Sequence, residues 1–199
     1  MAVAVEHEKR RKKILEKALV VFMDDGYENT TFQKIADRCG ITRTILYLYF
    51  KNKREIFNYS IKQLLTTIEE NINLIRADAS LNSMEKITRV LHDIFKLFEQ
   101  NRQFISVILD YLLYIYKGEA NPEVRVRRRT VRLRHFLASM VIEGVKTGDL
   151  KKVKVKTADD YLYSFIESAI FQLAVLKRKN LSELKETVIY AVRQFAVKQ

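Results

Sequence analysis

Residues 31–53 read Thr31-Phe32-Gln33-Lys34-Ile35-Ala36-Asp37-Arg38-Cys39-Gly40-Ile41-Thr42-Arg43-Thr44-Ile45-Leu46-Tyr47-Leu48-Tyr49-Phe50-Lys51-Asn52-Lys53. Thr31 (or Thr30) suits the N-cap of a short helix over Phe32 to Cys39, since its hydroxyl can accept a free amide of the first turn. Gly40 stops that helix, Ile41 is an apolar link, and Thr42 caps a next helix from Arg43 to about Phe50. Two short helices joined by a turn with one glycine make a helix-turn-helix pattern. Ile35, Ala36, Ile41, Leu46 and Phe50 form its small core. Ala36 is small where the two helices cross, and a larger side chain would push them apart. Cys39 ends its helix against the turn and reads as a small buried hydrophobe.

Upstream, Ile14, Leu15, Ala18, Val21 and Phe22 recur at helical spacing and predict a first helix from Glu6 to about Asp25. Gly26 is expected as its left-handed C-cap. The run Lys9 to Lys13 on this helix has two open readings, a solvated face or a phosphate-contacting arm. Downstream, Asn52 with Glu55 three residues on reads as a capping box. It opens a fourth helix whose stripe Ile56, Ile61, Leu64, Leu65, Ile68, Ile72, Ile75 runs to about Arg76. Ser83 suits the N-cap of a fifth helix that buries Ile87, Val90, Leu91, Ile94, Phe95 and Phe98; a sixth spans about Arg102 to Tyr116. Asn121 and Pro122 suit the N-cap and first turn of a seventh, to about Lys146, with Gly148 beyond it. Lys151 to Lys156 alternates lysine and valine without a partner strand, so a charged loop is expected. Thr157 with Asp160 suggests a capping box for an eighth helix to about Lys179, and Ser182 a cap for a ninth to about Val197. With one proline and five glycines in 199 residues, the chain reads as all-α. A three-helix head over 1–55 precedes a six-helix body over 56–199.

The formal net charge is +12. That balance favours an anionic partner, nucleic acid first and a membrane surface second. A single cysteine allows no disulfide within the chain and fits the reducing cytoplasm. The segment Glu6 to Lys13 is charged where a signal peptide would be apolar, and no stretch approaches the ~20 apolar residues of a membrane span. His7, His92, His135 and Cys39 show no metal-ligand spacing. There is no glycine-rich phosphate loop and no nucleophile elbow. No metal, no cofactor and no catalytic residues are expected, and the chain does not read as an enzyme.

The stretch Thr31 to Lys53 closely resembles the signature of the TetR family of repressors. Ile35-Ala36, Gly40-Ile41-Thr42, Leu46-Tyr47-x-Tyr49-Phe50 and Asn52-Lys53 stand at the family's spacing, as do Ile14, Ala18, Phe22, Gly26 and Tyr27 before them. The likeness covers roughly residues 10 to 58. It implies nine helices, a homodimer, and a third helix that enters the DNA major groove. It also implies that the last two helices pair with those of the second subunit in a four-helix bundle. A small-molecule effector bound in the body would move the fourth helix and change the separation of the heads. The function so implied is a repressor released from an inverted-repeat operator in double-stranded DNA.

The recognition helix turns Arg43, Thr44, Tyr47 and Leu48 away from Leu46 and Phe50. Arg43 can fork onto guanine O6 and N7, worth about 1–3 kcal/mol of discrimination, or touch phosphate only. Leu48 or the Thr44 methyl can pack on a thymine methyl. By the resemblance, the hydroxyls of Tyr47 and Tyr49 reach phosphates; Tyr47 can also be read as a core aromatic. Lys53, at the start of the fourth helix, would meet a phosphate together with free amides. Thr31 and Gln33 lie at the start of the second helix and Thr42 at the tip of the third, where backbone or groove edge passes. Phe32 and Leu48 depart from common family usage. Paired heads would read half-sites about 34–36 Å apart.

In the body, Phe98, Phe104, Ile108, Tyr111, Tyr114, His135 and Met140 read either as a pocket between helices four to eight or as plain core. Buried tyrosines need a partner for their hydroxyls. Val124, Arg128, Val131, His135, Ala138, Ile142 and Val145 share one stripe of the seventh helix, interrupted by Arg128 and His135. Either the arginine snorkels and the histidine is a satisfied core residue, or the pair receives an anionic amphipathic ligand such as a fatty acyl group. On the resemblance, Phe165, Ala169, Gln172, Leu173 and Leu176 of the eighth helix form the dimer interface with Leu184, Val188, Ala191, Val192 and Phe195 of the ninth. The residues alone leave intrachain core open. The rival function is a sequence-indifferent nucleoid or membrane-surface DNA-binding protein, marked by a steep salt slope and weak base preference.

Overall fold

The computed structural model describes the backbone of residues 2–118 and 122–197 and, within them, the side chains of residues 5–117, 131 and 133–197. Among the described residues the chain folds as α1 (Ala2–Asn29), α2 (Phe32–Cys39), α3 (Arg43–Tyr47), α4 (Lys53–Ala77), α5 (Ser83–Gln100), α6 (Arg102–Gly118), α7 (Pro122–Thr147), α8 (Val155–Ala174) and α9 (Ser182–Arg193). Asn121, the expected cap of α7, lies outside the described residues.

Two apolar cores form. In the head, Ile14, Ala18 and Phe22 of α1 meet Ile35 and Ala36 of α2, Leu46 of α3, and Ile56 and Phe57 of α4. The second core lies in the body, where α5 (Ile87, Leu91, Phe95) is surrounded by the far half of α4 and by α7, α8 and α9. Helix α6 joins the two: its Phe104, Val107, Tyr111 and Ile115 belong to the head core, and Ile105 to the body core. Half-buried Leu64, Leu65 and Ile108 touch both. The head is therefore packed on α6 and continuous with α4.

Several helix ends differ from the sequence expectations. Gly26 has a positive φ, but its φ 74°, ψ 171° is the extended mirror region rather than a left-handed helical cap. That region is essentially glycine's own. It turns the chain so that the buried Thr30 hydroxyl donates to the Gly26 carbonyl at 2.6 Å. Helix α3 stops at Tyr47, short of Phe50, because Phe50 must swing into the head core, where it is 1% exposed. Asn82, not Ser83, caps α5: Asn82 Oδ1 accepts the Glu85 amide and Glu85 accepts the Asn82 amide. Ser83 serves another end, donating its amide (3.0 Å) and hydroxyl (2.7 Å) to Asp149. Helix α8 starts at Val155 rather than Thr157 and ends at Ala174 rather than Lys179. Beyond it Lys177 takes a positive φ of 53°. In α9 Leu181 rather than Ser182 stands at the N-cap position, without a side-chain hydrogen bond, and the helix ends at Arg193. The chain then turns so that Phe195 O accepts the Lys151 amide and Leu150 forms an isolated antiparallel bridge with Ala196.

Helix α7 is rotated from the expected stripe. Leu133, Leu137, Met140 and Val141 are buried, while Val131 is 46% and Ile142 41% exposed. Packing between α5 and α8 selects this face. Gly144 lies on it, where an added Cβ would fall 2.6 Å from Leu150 and 2.8 Å from Ser83 Cβ. The Arg134 guanidinium ties α7 to α8 through Asp159 (2.8 Å) and Asp160, and lies over the Tyr163 ring.

Candidate nucleic-acid interface

Two threonine caps set the reading surface. Thr31 Oγ1 accepts the Lys34 amide and Thr42 Oγ1 accepts the Ile45 amide, each at 3.2 Å. Between them Gly40 adopts the left-handed conformation (φ 68°, ψ 35°), and its amide closes α2 onto Ala36 and Asp37. The fully buried Ala36 lets α3 cross closely. As a result Thr42, Arg43, Thr44, Tyr47 and Leu48 all stand exposed at the head's surface. Leu48 is 73% exposed.

Tyr47 is half exposed and does not belong to the core. Its ring packs on that of Phe32 at 4.6 Å, and its hydroxyl accepts from Arg43 Nη2 at 3.0 Å. Phe32, buried at the start of α2, thus props the tyrosine that holds the arginine. The sequence reading missed that role; the signal available was the departure from family usage at position 32. Gln33 is exposed and donates to Asp37 within α2. Tyr49 is half-buried and stacked on His7 at 4.6 Å. Cys39 is half-buried, and burial pushes its thiol upward, as suits a packing residue.

Lys53 has a different place from the one expected. Its ammonium donates to the carbonyls of Tyr27 (2.9 Å), Glu28 (2.8 Å) and Thr30 (2.7 Å), which occupy its three N–H donors. Partial burial lowers its pKa, with Glu28 opposing. It staples the start of α4 to the α1–α2 turn rather than projecting to a phosphate. In the basic run, Arg11 also turns inward, with its guanidinium 4.1 Å above the Tyr59 ring. Lys9, Arg10, Lys12 and Lys13 stay exposed.

The residues proposed for an effector pocket are not brought together. Phe98 and Met140 are in the body core; Phe104 and Tyr111 are in the head core. Ile108 bridges the two cores, and Tyr114 is exposed against the Tyr27 ring. The buried Tyr111 hydroxyl donates to Asn58, so it requires no ligand. His135 is exposed rather than core, and the Arg128 side chain lies outside the described residues. His135 and Val131 open onto a groove of about 410 Å³ between α4 and α7, with Glu69, Arg76, Phe136 and Ser139. Beneath α4 and α5 lies an apolar void of about 10 Å³ among Ile68, Ile72, Val90 and Ile94, too small for a ligand.

Most residues expected at a subunit interface are core of this chain. Phe165, Ala169, Leu173, Leu184, Val188, Ala191 and Val192 are all buried against it. Gln172 and Phe195 are half-buried, and Leu176 is exposed. The outer faces of α8 and α9 instead show Phe171, Val175, Ile189 and Tyr190. The periodicity of two-sided apolar helices did not say which face was inner.

Residues 14–59 match the sequence model of the bacterial regulatory proteins of the tetR family. The helix-turn-helix segment is therefore of the tetR type. The all-α architecture with an N-terminal helix-turn-helix is the fold of solved proteins of that family. The chain is 24% identical over 165 residues to the fatty acid metabolism regulator protein of Bacillus subtilis, covering 79% of this chain and 80% of that protein. It is 28% identical over 148 residues to the transcriptional repressor KstR2 of Mycolicibacterium smegmatis, covering 71% and 68%. It shares its fold with the Bacillus subtilis regulator FadR solved in complex with stearoyl-CoA (TM-score 0.75, 22% identity, 91% of this chain and 96% of that one). Among the described residues no helix is long and apolar enough to cross a membrane, and no cluster of three metal-ligating side chains occurs.

Proposed function

We propose that this regulator is a cytoplasmic homodimeric repressor, released from an inverted-repeat operator by an amphipathic anionic effector. The observation that carries it is the braced trio Phe32–Tyr47–Arg43 on the exposed face of α3. A preorganised arginine beside an exposed Leu48 and Thr44 suits base-edge readout, guanine for the guanidinium and a thymine methyl for the apolar groups. Thr31, Gln33, Thr42 and the Tyr49 hydroxyl serve the flanking phosphates. Residues 1–55 read DNA, and 56–199 dimerise and bind the effector.

Dimerisation through α8 and α9 would cover Phe171, Val175, Leu176 and Tyr190, which are 47–70% exposed in the single chain. The relative solved with stearoyl-CoA supports a long-chain acyl thioester as effector. The α4–α7 groove at His135, with Arg128 two turns earlier on the same helix, is its proposed entrance. An acyl chain entering there must part α4 from the body core. That movement passes to the head, because α4 carries residues of both cores. The shift is a matter of differential affinity for the two states.

Selection of bound duplexes from a random library at near-physiological salt tests the reading. An enriched inverted repeat bound about 10³-fold or more above random DNA is the expected result. Tight binding without enrichment would establish the sequence-indifferent alternative, and no binding would end both. Stearoyl-CoA should then release the selected duplex, less so from Arg128→Ala; an unchanged response in that variant removes Arg128 from the effector site.

A further inference from the structure

The reading head has a neighbour that the helix-turn-helix does not include. Helix α1 runs on to Ala2, well before the head core begins at Ile14. Its exposed early turns are anchored at two points. The Arg11 guanidinium lies 4.1 Å from the Tyr59 ring centre and 5.2 Å from that of Phe50. One turn earlier, the His7 imidazole stacks on the Tyr49 ring, 4.6 Å between centres and 24° between planes. The first contact fixes the rotation of the helix, and the second places an exposed imidazole beside the tyrosine at the edge of the reading surface.

We infer that the N-terminal turns of α1 are part of the DNA interface, with His7 donating to the backbone phosphate that Tyr49 touches. The inference rests on the DNA-binding reading above. A tyrosine hydroxyl lies about 2.8 Å from its ring centre, and a phosphate oxygen sits about 2.7 Å beyond it. A second oxygen of that phosphate is then within hydrogen-bond reach of an N–H on a ring stacked over the tyrosine. The exposed Lys9, Arg10 and Lys13 continue the positive edge along the same helix.

The charged surroundings let the imidazole answer to DNA. On α1, Arg10 and Arg11 lie one turn on, and the Glu8 carboxylate is turned to Arg11 at 3.6 Å. The α3–α4 connection presents Tyr49 and, two residues further, Lys51. From α4, Glu55 is taken up by the Lys51 amide and Tyr59 by Arg11. A phosphate favours the charged form of an imidazole, so the contact at His7 should strengthen as pH falls toward 6.

The experiment measures Kd for a 40-base-pair duplex carrying the enriched repeat, from pH 8 to pH 6 at fixed ionic strength, for the full chain and for His7→Gln and His92→Gln. The expected result is a tightening of about three- to tenfold toward pH 6 in the parent and in H92Q, the size of a half- to one-unit linkage. In H7Q the dependence is lost, and the affinity stays at or below the parent's pH 8 value throughout. Equal pH slopes in the parent and H7Q, with binding intact, overturn the inference and leave the regulator reading standing. A parent that binds no duplex at all removes both.

Discussion

The Tyr47 ring rests on Phe32 with 4.6 Å between centres, while its hydroxyl accepts the Arg43 guanidinium. A buried residue of α2 thereby braces an exposed arginine of α3, which would lower the entropy lost in the proposed contact with a base. Arg43→Ala should weaken operator binding by about 1–3 kcal/mol and relax preference at one base pair of each half-site. Tyr47→Phe should lose less affinity but much of the same preference. Binding to a library of single-base operator variants reads both, and a uniform loss across all variants would mean that Arg43 meets only phosphate.

Lys53 is placed as a staple, so its removal should be felt in folding. Lys53→Met leaves three carbonyls of the α1–α2 turn without their shared donor and should cost about 2 kcal/mol in urea unfolding. A phosphate ligand would behave otherwise, leaving stability intact and lowering the salt slope of DNA binding by about one.

Gly144 is a packing glycine inside α7. Helix propensity alone would make alanine better there by about 1 kcal/mol. The contact with Leu150 and Ser83 reverses the sign: Gly144→Ala must displace Leu150 and should destabilise the body by about 1–3 kcal/mol. A thermal melt above that of the parent would show that Leu150 gives way freely.

Asp149 accepts from the Ser83 hydroxyl, the Ser83 amide and the Thr147 hydroxyl. These bonds, the Ser83 hydroxyl first, hold its carboxyl below the usual carboxylate range. A carboxyl lowered by folding stabilises the fold at all pH above its unfolded value near 3.9. That contribution fades as pH falls through the lowered value. Asp149→Asn should therefore have a lower melting temperature at pH 7 and converge on the parent below about pH 4. Parallel melting curves across that range would assign the loop's stability elsewhere.

The exposed faces of α8 and α9 separate a subunit interface from a core. Phe171→Glu and Tyr190→Glu lie on surface that is 52% and 70% exposed, so each should leave the monomer folded and shift the mass in solution from dimer to monomer. Leu173→Glu enters the intrachain core and should unfold the body instead. Light scattering with circular dichroism distinguishes the two. A dimer that survives both surface changes would place the interface on another face.

The sequence by itself determined the elements and the head. Thr31, Gly40 and Thr42 specify caps and a turn through local hydrogen bonding and φ preference, and the apolar spacing of short helices admits one arrangement around Ala36. The residues that α3 leaves exposed could thus be named from the stretch alone. Where two signals competed, tertiary contact decided. Ser83 had the character of a cap, yet Asn82 took that role because Asp149 claimed the serine. Lys53 stood where a phosphate contact was expected, but three carbonyls converge on it from a turn more than twenty residues earlier. Helices α7 and α8 are apolar on more than one face, so periodicity could not say which face meets α5 and which is left outside. Local chemistry acts within a turn or two and is written in neighbouring residues. Which face of a helix is buried, and which polar group reaches a partner first, depends on elements that come together only when the chain has folded.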